Sequence, residues 1–246
     1  MKRPAPAAAG IALAGLFLSL LWLERRRPLR RRVEPQLPRL ARNVTMGALA
    51  AAVVDLAEAP VTQRLAARVQ QRQLGLVHLL RLPSPAQRFA ALVLLDYTLY
   101  LWHILMHRVP GLWRWHRVHH RDPDLDVSTA LRFQAVELLW SVPWRAAQVL
   151  LIGVDPATLR LWGQLTLAEV MFHHSNLDVP GPLERLLRRF VVTPAMHGLH
   201  HADRPDLQHA NFSSGLALWD RLHGTAAAPV PQDRLTMGVP PADRAA

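Results

Sequence analysis

Ten of the thirteen histidines fall into a few tight groups. They are His103 and His107 in HILMH; His116, His119 and His120 in HRVHH; His173 and His174 in FHHSN; and His197, His200 and His201 in HGLHH. Imidazole is the commonest neutral metal ligand near pH 7. On a helix, positions four apart share one face with Cβ atoms about 5–6 Å apart, so HILMH suits two ligands converging on one ion. HRVHH and HGLHH each repeat a spacing of three and four. Eight or nine ring nitrogens exceed the four that one tetrahedral zinc takes, so the pattern calls for two metals. Two adjacent metals imply redox or hydrolytic chemistry. Iron with open positions activates dioxygen, and zinc or copper also fits the ligand type. Ile104 stands where HExxH has glutamate, which argues against a zincin protease. His78 and His223, each isolated, read as structural, and His209 is ambiguous.

These groups lie just past strongly apolar stretches. The clearest helix covers 88–109, with Asp96 and His103 as polar exceptions two turns apart on one face. Residues 135–154 and 156–173 read as a helical hairpin turning at Gly153-Val154-Asp155-Pro156, with Pro143 kinking its first arm. Residues 5–23 are long enough to span a bilayer. A weaker span covers 43–62, interrupted by Asp55 and Glu58, with its end expected at Pro60. Segment 63–87 is basic and proline-punctuated, and its early part fits a surface amphipathic helix. Lys2 and Arg3 precede the first apolar stretch. It ends in Leu21-Trp22-Leu23-Glu24 rather than in small residues, which favours an uncleaved anchor over a signal peptide.

Half of the 246 residues are hydrophobic while the formal net charge is +11. Together these suggest a membrane protein with basic flanks. Segment 24–42 carries Arg25, Arg26, Arg27, Arg30, Arg31, Arg32, Arg39 and Arg42, the composition of a cytoplasmic anchor beside a membrane helix. No recognition motif supports a nucleic-acid patch instead. The absence of cysteine excludes disulfides, thiolate zinc sites and iron–sulfur clusters on this chain. No GxGxxG fingerprint follows a strand, so electrons must come from a partner. If 24–42 is cytoplasmic and the chain crosses at 43–62, 88–109, 135–154 and 156–173, every histidine group meets the cytoplasmic face. The arginines between 64 and 88 then lie on the opposite face, which counts against that topology.

The expected fold class is an all-α membrane protein: a transmembrane helical bundle of about four to five spans, with a cytoplasmic helical cap carrying a histidine-rich di-metal site. The expected divisions are an anchor and Arg-rich segment (1–42), a second membrane or interfacial segment with a basic linker (43–87), a catalytic domain (88–225) and a mobile Ala- and Pro-rich tail (226–246).

With these motifs in hand, the chain resembles the fatty acid hydroxylase / sterol desaturase superfamily of integral membrane di-iron proteins. The resemblance runs from about Leu92 to Thr225, through DYTLYLWHILMH, WRWHRVHHRDPDLDVSTALRF, FHHSN, GPLERLL, MHGLHH and NFSSGLALWDRLHGT. It implies two iron ions held by His103, His107, His116, His119, His120, His197, His200 and His201. His174 matches a further recurrent histidine, and His173 beside it is an additional candidate. Asp96, Asn176, Asn211, Trp219 and Asp220 match motif-flanking positions with supporting roles. The resemblance also implies dioxygen-dependent hydroxylation or desaturation of a lipid, such as a fatty acyl chain, a sterol or a related isoprenoid. It further implies a separate ferredoxin- or cytochrome-type electron donor and residence in the cell membrane. Many members read RFHP where this chain has Arg132-Phe133-Gln134-Ala135, and many have glycine where it has Ser213. Metal-bound histidines need partners that fix each ring. Asp96, Asp122, Asp124 and Asp126 are candidates, and the DPDLD run reads equally as a solvated, helix-capping loop. Two alternatives are a membrane metal transporter or metal-binding protein, and a non-catalytic member of the same fold.

Overall fold

The computed structural model describes residues 6–239, so Lys2, Arg3 and residues 240–246 of the expected tail lie outside the described residues. Helices are the only regular elements among the described residues, apart from isolated bridges. In order the helices are α1 (Pro6–Arg26), α2 (Gln36–Val53), α3 (Ala59–Arg72), α4 (Leu76–Leu79), α5 (Ser84–Arg108) and α6 (Pro110–His120). They continue with α7 (Ala135–Gln148), α8 (Pro156–His174), α9 (Gly181–Leu187), α10 (Pro194–His200), α11 (Pro205–Gln208) and α12 (Leu218–Leu222). Among the described residues, four helical stretches are long and apolar enough to cross a membrane: Ala8–Arg26, Gln36–Leu79, Ser84–Arg108 and Ala135–Gly153. The fifth expected span forms as α8 but is not among them, being diluted by Arg160, Gln164, Glu169 and two histidines.

The chain divides into two compact units. Among the described residues the first comprises 6–44, 117–132 and 164–239. Leu20 of α1 packs there with Val127, Ala130 and Met171, while Ile11, Leu18 and Trp22 stay exposed, as a lipid-facing surface requires. Arg25 and Arg26 close α1, where cations complement the helix dipole.

The Arg-rich segment makes buried contacts within this unit. Arg39 is buried, and its Nε donates to Asp122 Oδ1 at 2.7 Å. Its Nη2 reaches Asp122 Oδ2 at 3.0 Å and Asp124 O at 2.8 Å, and Nη1 pairs with Asp126. Asp124 accepts the backbone N–H groups of Val33 and Glu34 at 2.9 and 2.8 Å. The DPDLD run is therefore buried rather than solvated, although Asp126 does cap a 3₁₀ turn, Val127–Leu131, through Ser128 N at 2.8 Å. Burial raises the Asp126 carboxyl, but the charge and hydrogen bond of Arg39 outweigh that and hold it below its ordinary 3.8.

Residues 226–239 also differ from the expected free tail. Met237 packs with Leu125, Leu199, Ala202 and Leu207. Gly238 N donates to His201 O at 2.9 Å, and Asp203 N to Thr236 O at 2.9 Å. Apolar burial and backbone pairing hold this stretch in place.

The second unit comprises residues 45–116 and 133–163. The helix does not end at Pro60. A π-helical turn, Val54–Glu58, precedes it, and Pro60 stands in the first turn of α3. Thr62, Ala66 and Val69 line the buried face of α3, as expected for an amphipathic helix. Gly75 and Gly153 both have positive φ, and a Cβ on Gly75 would meet Gly153 Cα at 2.3 Å, so neither tolerates a side chain. Around this approach pack Val77, Leu95, Leu99, Ile152 and Trp162. Helix α7 runs through Pro143 to Gln148. Asp155 then caps α8 through Ala157 N and Thr158 N at 2.8 and 3.1 Å.

Candidate metal centre

Helix α5 stops at Val109 because the residue before a proline disfavours the α conformation, and α6 restarts at Pro110. The break brings His116 to His103 and His107 on the last turns of α5. The ring centroids are 5.1 Å (His103–His107), 5.2 Å (His103–His116) and 5.0 Å (His107–His116) apart. One nitrogen from each lies within 4.8 Å of the others, and all three side chains are buried. His116 Nδ1 meets Glu137 Oε1 of α7 at 2.9 Å. A carboxylate on Nδ1 fixes the ring and leaves Nε2 for a metal.

In the first unit, His119 of α6, His174 at the end of α8, His197 of α10 and His201 just beyond it form a tetrad. One nitrogen from each lies within 4.8 Å of the rest, all buried. Nε2 separations are 2.9 Å for His119–His174, 3.1 Å for His174–His197 and 3.1 Å for His197–His201. His174 Nδ1 faces Val170 O at 2.8 Å, and His119 Nδ1 faces Arg132 O at 3.3 Å. A carbonyl oxygen only accepts, so each Nδ1 carries the proton and each Nε2 presents a lone pair. Two such lone pairs 2.9 Å apart repel unless a cation lies against them. Four nitrogens around one tetrahedral ion at about 2.1 Å are about 3.4 Å apart, so the neighbouring nitrogens of the tetrad, at 2.9–3.1 Å, need only move apart slightly to reach that geometry. Burial first, and then the neighbouring imidazoles, push His201 well below its ordinary 6.5, which keeps it in the neutral form a metal binds. The residues present fit a metal ion.

His120 and His200 form a pair beside the tetrad, with rings 4.7 Å apart and one nitrogen from each within 4.8 Å. His120 stacks on His201 at 4.2 Å, and His200 Nδ1 faces Ala210 O at 2.8 Å. Consecutive helical positions diverge by about 100°, which is why His119 and His120 serve different groups. His173 lies 4.1 Å from His197, with Nδ1 on Ser214 O at 2.9 Å, beside the tetrad rather than among its four donors. His78 packs at the Gly75–Gly153 approach, and His209 and His223 are exposed.

The flanking residues brace the loops that aim the rings. Asn211, at φ 53°, donates from Nδ2 to Met196 O at 2.9 Å and accepts Ala227 N at 2.9 Å. Asp220 of α12, next to buried Trp219, accepts Phe212 N, Ser213 N and Thr225 Oγ1 at 2.8, 2.9 and 2.7 Å. Ser213 Oγ in turn accepts Asp220 N at 3.3 Å. Asn176 clamps the backbone of Arg30 through both ends of its amide at 2.9 Å. Asp96 is buried on α5. The contacts of Asp122, Asp124 and Asp126 run to Arg39 and the N-terminal segment, which makes them a structural brace. Sequence reasoning missed Glu137, Arg30 and Arg39. The signal for Glu137 was an acid one turn into an apolar helix; Gln134 stands at that helix's N-cap without a side-chain capping bond.

An ornithine lipid hydroxylase of Rhizobium tropici is 30% identical over 159 residues, which is 64% of this chain and 46% of that protein. An alkylglycerol monooxygenase of Homo sapiens is 29% identical over 146 residues, 59% of this chain and 32% of that protein. A cholesterol 25-hydroxylase of Rattus norvegicus is 29% identical over 150 residues, 60% of this chain and 49% of that protein. The matched stretch thus spans less than half the length of each relative. No solved structure matches the chain. The four apolar helices fit a multi-pass membrane protein. Residues 89–225, more than half of the sequence, match the fatty acid hydroxylase family, and the chain belongs to it.

Proposed function

We propose that this chain is a membrane-bound di-iron oxidoreductase that uses dioxygen to hydroxylate or desaturate a lipid. The ligands are His103, His107, His116, His119, His120, His174, His197, His200 and His201, with His173 as an auxiliary candidate. The observation that carries the reading is the tetrad: four buried imidazoles, each presenting a nitrogen within 4.8 Å of the others. Bound iron supplies the chemistry that imidazole lacks, namely four-electron reduction of dioxygen coupled to C–H oxidation. Hydroxylation then consumes one dioxygen, two electrons and two protons and yields an alcohol and water. A separate ferredoxin- or cytochrome-type protein is the proposed electron source, since the chain has no cysteine for a cluster. The metal side is proposed to face the cytoplasm of the cell membrane.

The chain's own residues bind and orient. Glu137 holds the His116 ring, and the carbonyls of Val170 and Arg132 hold His174 and His119. Burial of every tetrad member excludes water from the site. The apolar residues of α5 and α7 offer a surface for an alkyl chain.

The test is comparative lipid mass spectrometry of cells with and without the chain. A lipid gaining one oxygen identifies hydroxylation, and one losing two hydrogens identifies desaturation. An unchanged lipidome in iron-replete, aerated cells carrying a reductase partner refutes the reading.

A further inference from the structure

Arg30 lies outside the histidine groups and has an unusual environment. It sits four residues beyond the end of α1. Its side chain is buried to 93%, since only 7% remains exposed. Nη1 donates to Gln232 Oε1 at 2.6 Å and to Pro194 O at 3.4 Å. Nε and Nη2 are buried and have no hydrogen-bond partner among the described residues. Guanidinium has five donors in a planar fork matched to carboxylate and phosphate, and leaving a buried charged donor unpaired is costly.

The carboxylates whose charge reaches Arg30 are Glu24 and Asp124, and both are engaged elsewhere. Glu24 accepts Val127 N and Asn176 N at 3.0 and 2.9 Å, and Asp124 accepts Val33 N and Glu34 N. Burial lowers Arg30 to about 10, so it is still charged at neutral pH.

Arg30 also lines a cavity of about 380 Å³. Arg31, Asn176, Gln232 and Thr236 give it polar walls, with Leu235 and Met237 as apolar ones; Asp124 and the exposed Asp233 are its acids. We propose that this cavity is a binding site for an oxyanion, a carboxylate or phosphate group, paired with the Arg30 guanidinium. The site is tied to the tetrad through the main chain. Asn176, two residues past His174, clamps the Arg30 backbone. Gly198, between His197 and Leu199, admits Nη1 so closely that a Cβ there would lie 2.2 Å from it. An occupant of the cavity therefore bears on the segments that carry His174 and His197. The oxyanion comes either from a lipid headgroup or from free phosphate in solution. The inference does not depend on the proposed oxygenase activity.

The experiment is thermal unfolding of the purified full-length chain in detergent, at constant ionic strength set with chloride. One arm titrates inorganic phosphate and the other a short-chain phosphatidic acid. The expected result is a saturable rise in midpoint that weakens by about tenfold or more in Arg30→Gln. Gln232→Glu is the second variant: it keeps Arg30 and supplies an internal carboxylate at Nη1, so it should weaken binding to a similar degree even if Arg30→Gln does not fold. Phosphatidic acid binding about tenfold tighter than phosphate assigns the site to a headgroup; equal affinity assigns it to the free anion. No saturable shift with either probe, or an undiminished shift in Gln232→Glu, overturns the proposal.

Discussion

The trio His103, His107 and His116 comes from one short run of chain, whereas the tetrad gathers His119, His174, His197 and His201 from three separate segments. The means of orienting the rings differ as well. In the trio, a side-chain carboxylate, Glu137, holds His116. In the tetrad, main-chain carbonyls of Val170 and Arg132 hold His174 and His119. A carbonyl cannot be mutated away or protonated, while a carboxylate can be both. The trio is therefore the tunable group, and the tetrad is the one that stands or falls with the fold of its unit. The Arg39–Asp122–Asp126 brace and the packed stretch 226–239 serve that second requirement.

The comparison breaks most severely at a ligand. Replacing His174 by Ala leaves three tetrad imidazoles and is expected to remove about one metal ion per chain while trio-bound metal stays. Metal analysis of the purified variant checks this, and loss of both ions would show that the two groups are not separable. Next comes the brace. Arg39→Met strands the buried carboxylates of Asp122 and Asp126 and is expected to cost about 3–5 kcal/mol, read by denaturant unfolding. The tetrad should lose metal as its unit loosens. A loss below 1 kcal/mol, on the scale of a surface ion pair, would remove the brace from the account.

Glu137→Gln is the sharper probe of the trio. It keeps the shape and loses the carboxylate, so trio metal affinity should fall by about 10–100-fold with the tetrad unchanged. Equal weakening of both groups would contradict the distinction. Acid provides a further contrast. Asp126 is held below its ordinary 3.8 by Arg39, so its contribution is complete above that value and is lost as pH falls through the depressed one. In Arg39→Met this part of the acid sensitivity should vanish from the pH-dependence of unfolding. The smallest expected effect is at the start of α8, where Asp155→Ala removes an N-cap at about 1 kcal/mol without altering metal content.

The approach of His103 to His107 was legible in the sequence because it is local: positions four apart on one helix share a face. That His116 joins these two rather than His119 and His120 was not. The tetrad was legible only as a list of histidines. Spacing rules place positions three and four apart on one helical face, yet the HxxHH motifs divide, with His119 joining the tetrad and His120 pairing with His200. That division depends on which segments pack around α10, a nonlocal fact. The same limit explains Arg39 and the DPDLD run. Each reads as a solvated charge run when taken separately, and only their meeting in the fold buries both. Pro60 misled because a single proline reports its missing N–H but not the π-helical turn that precedes it. The C-terminal stretch looked mobile because its few apolar residues, such as Met237, find their partners around HGLHH rather than nearby in sequence.

The most direct measurement is iron content per chain in protein loaded and purified without oxygen, for the wild type and His174→Ala. The account expects about two ions in the first and about one in the second, with imidazole nitrogen dominating the X-ray absorption spectrum. A wild-type chain that binds no iron, or a variant that retains the full complement, would contradict it.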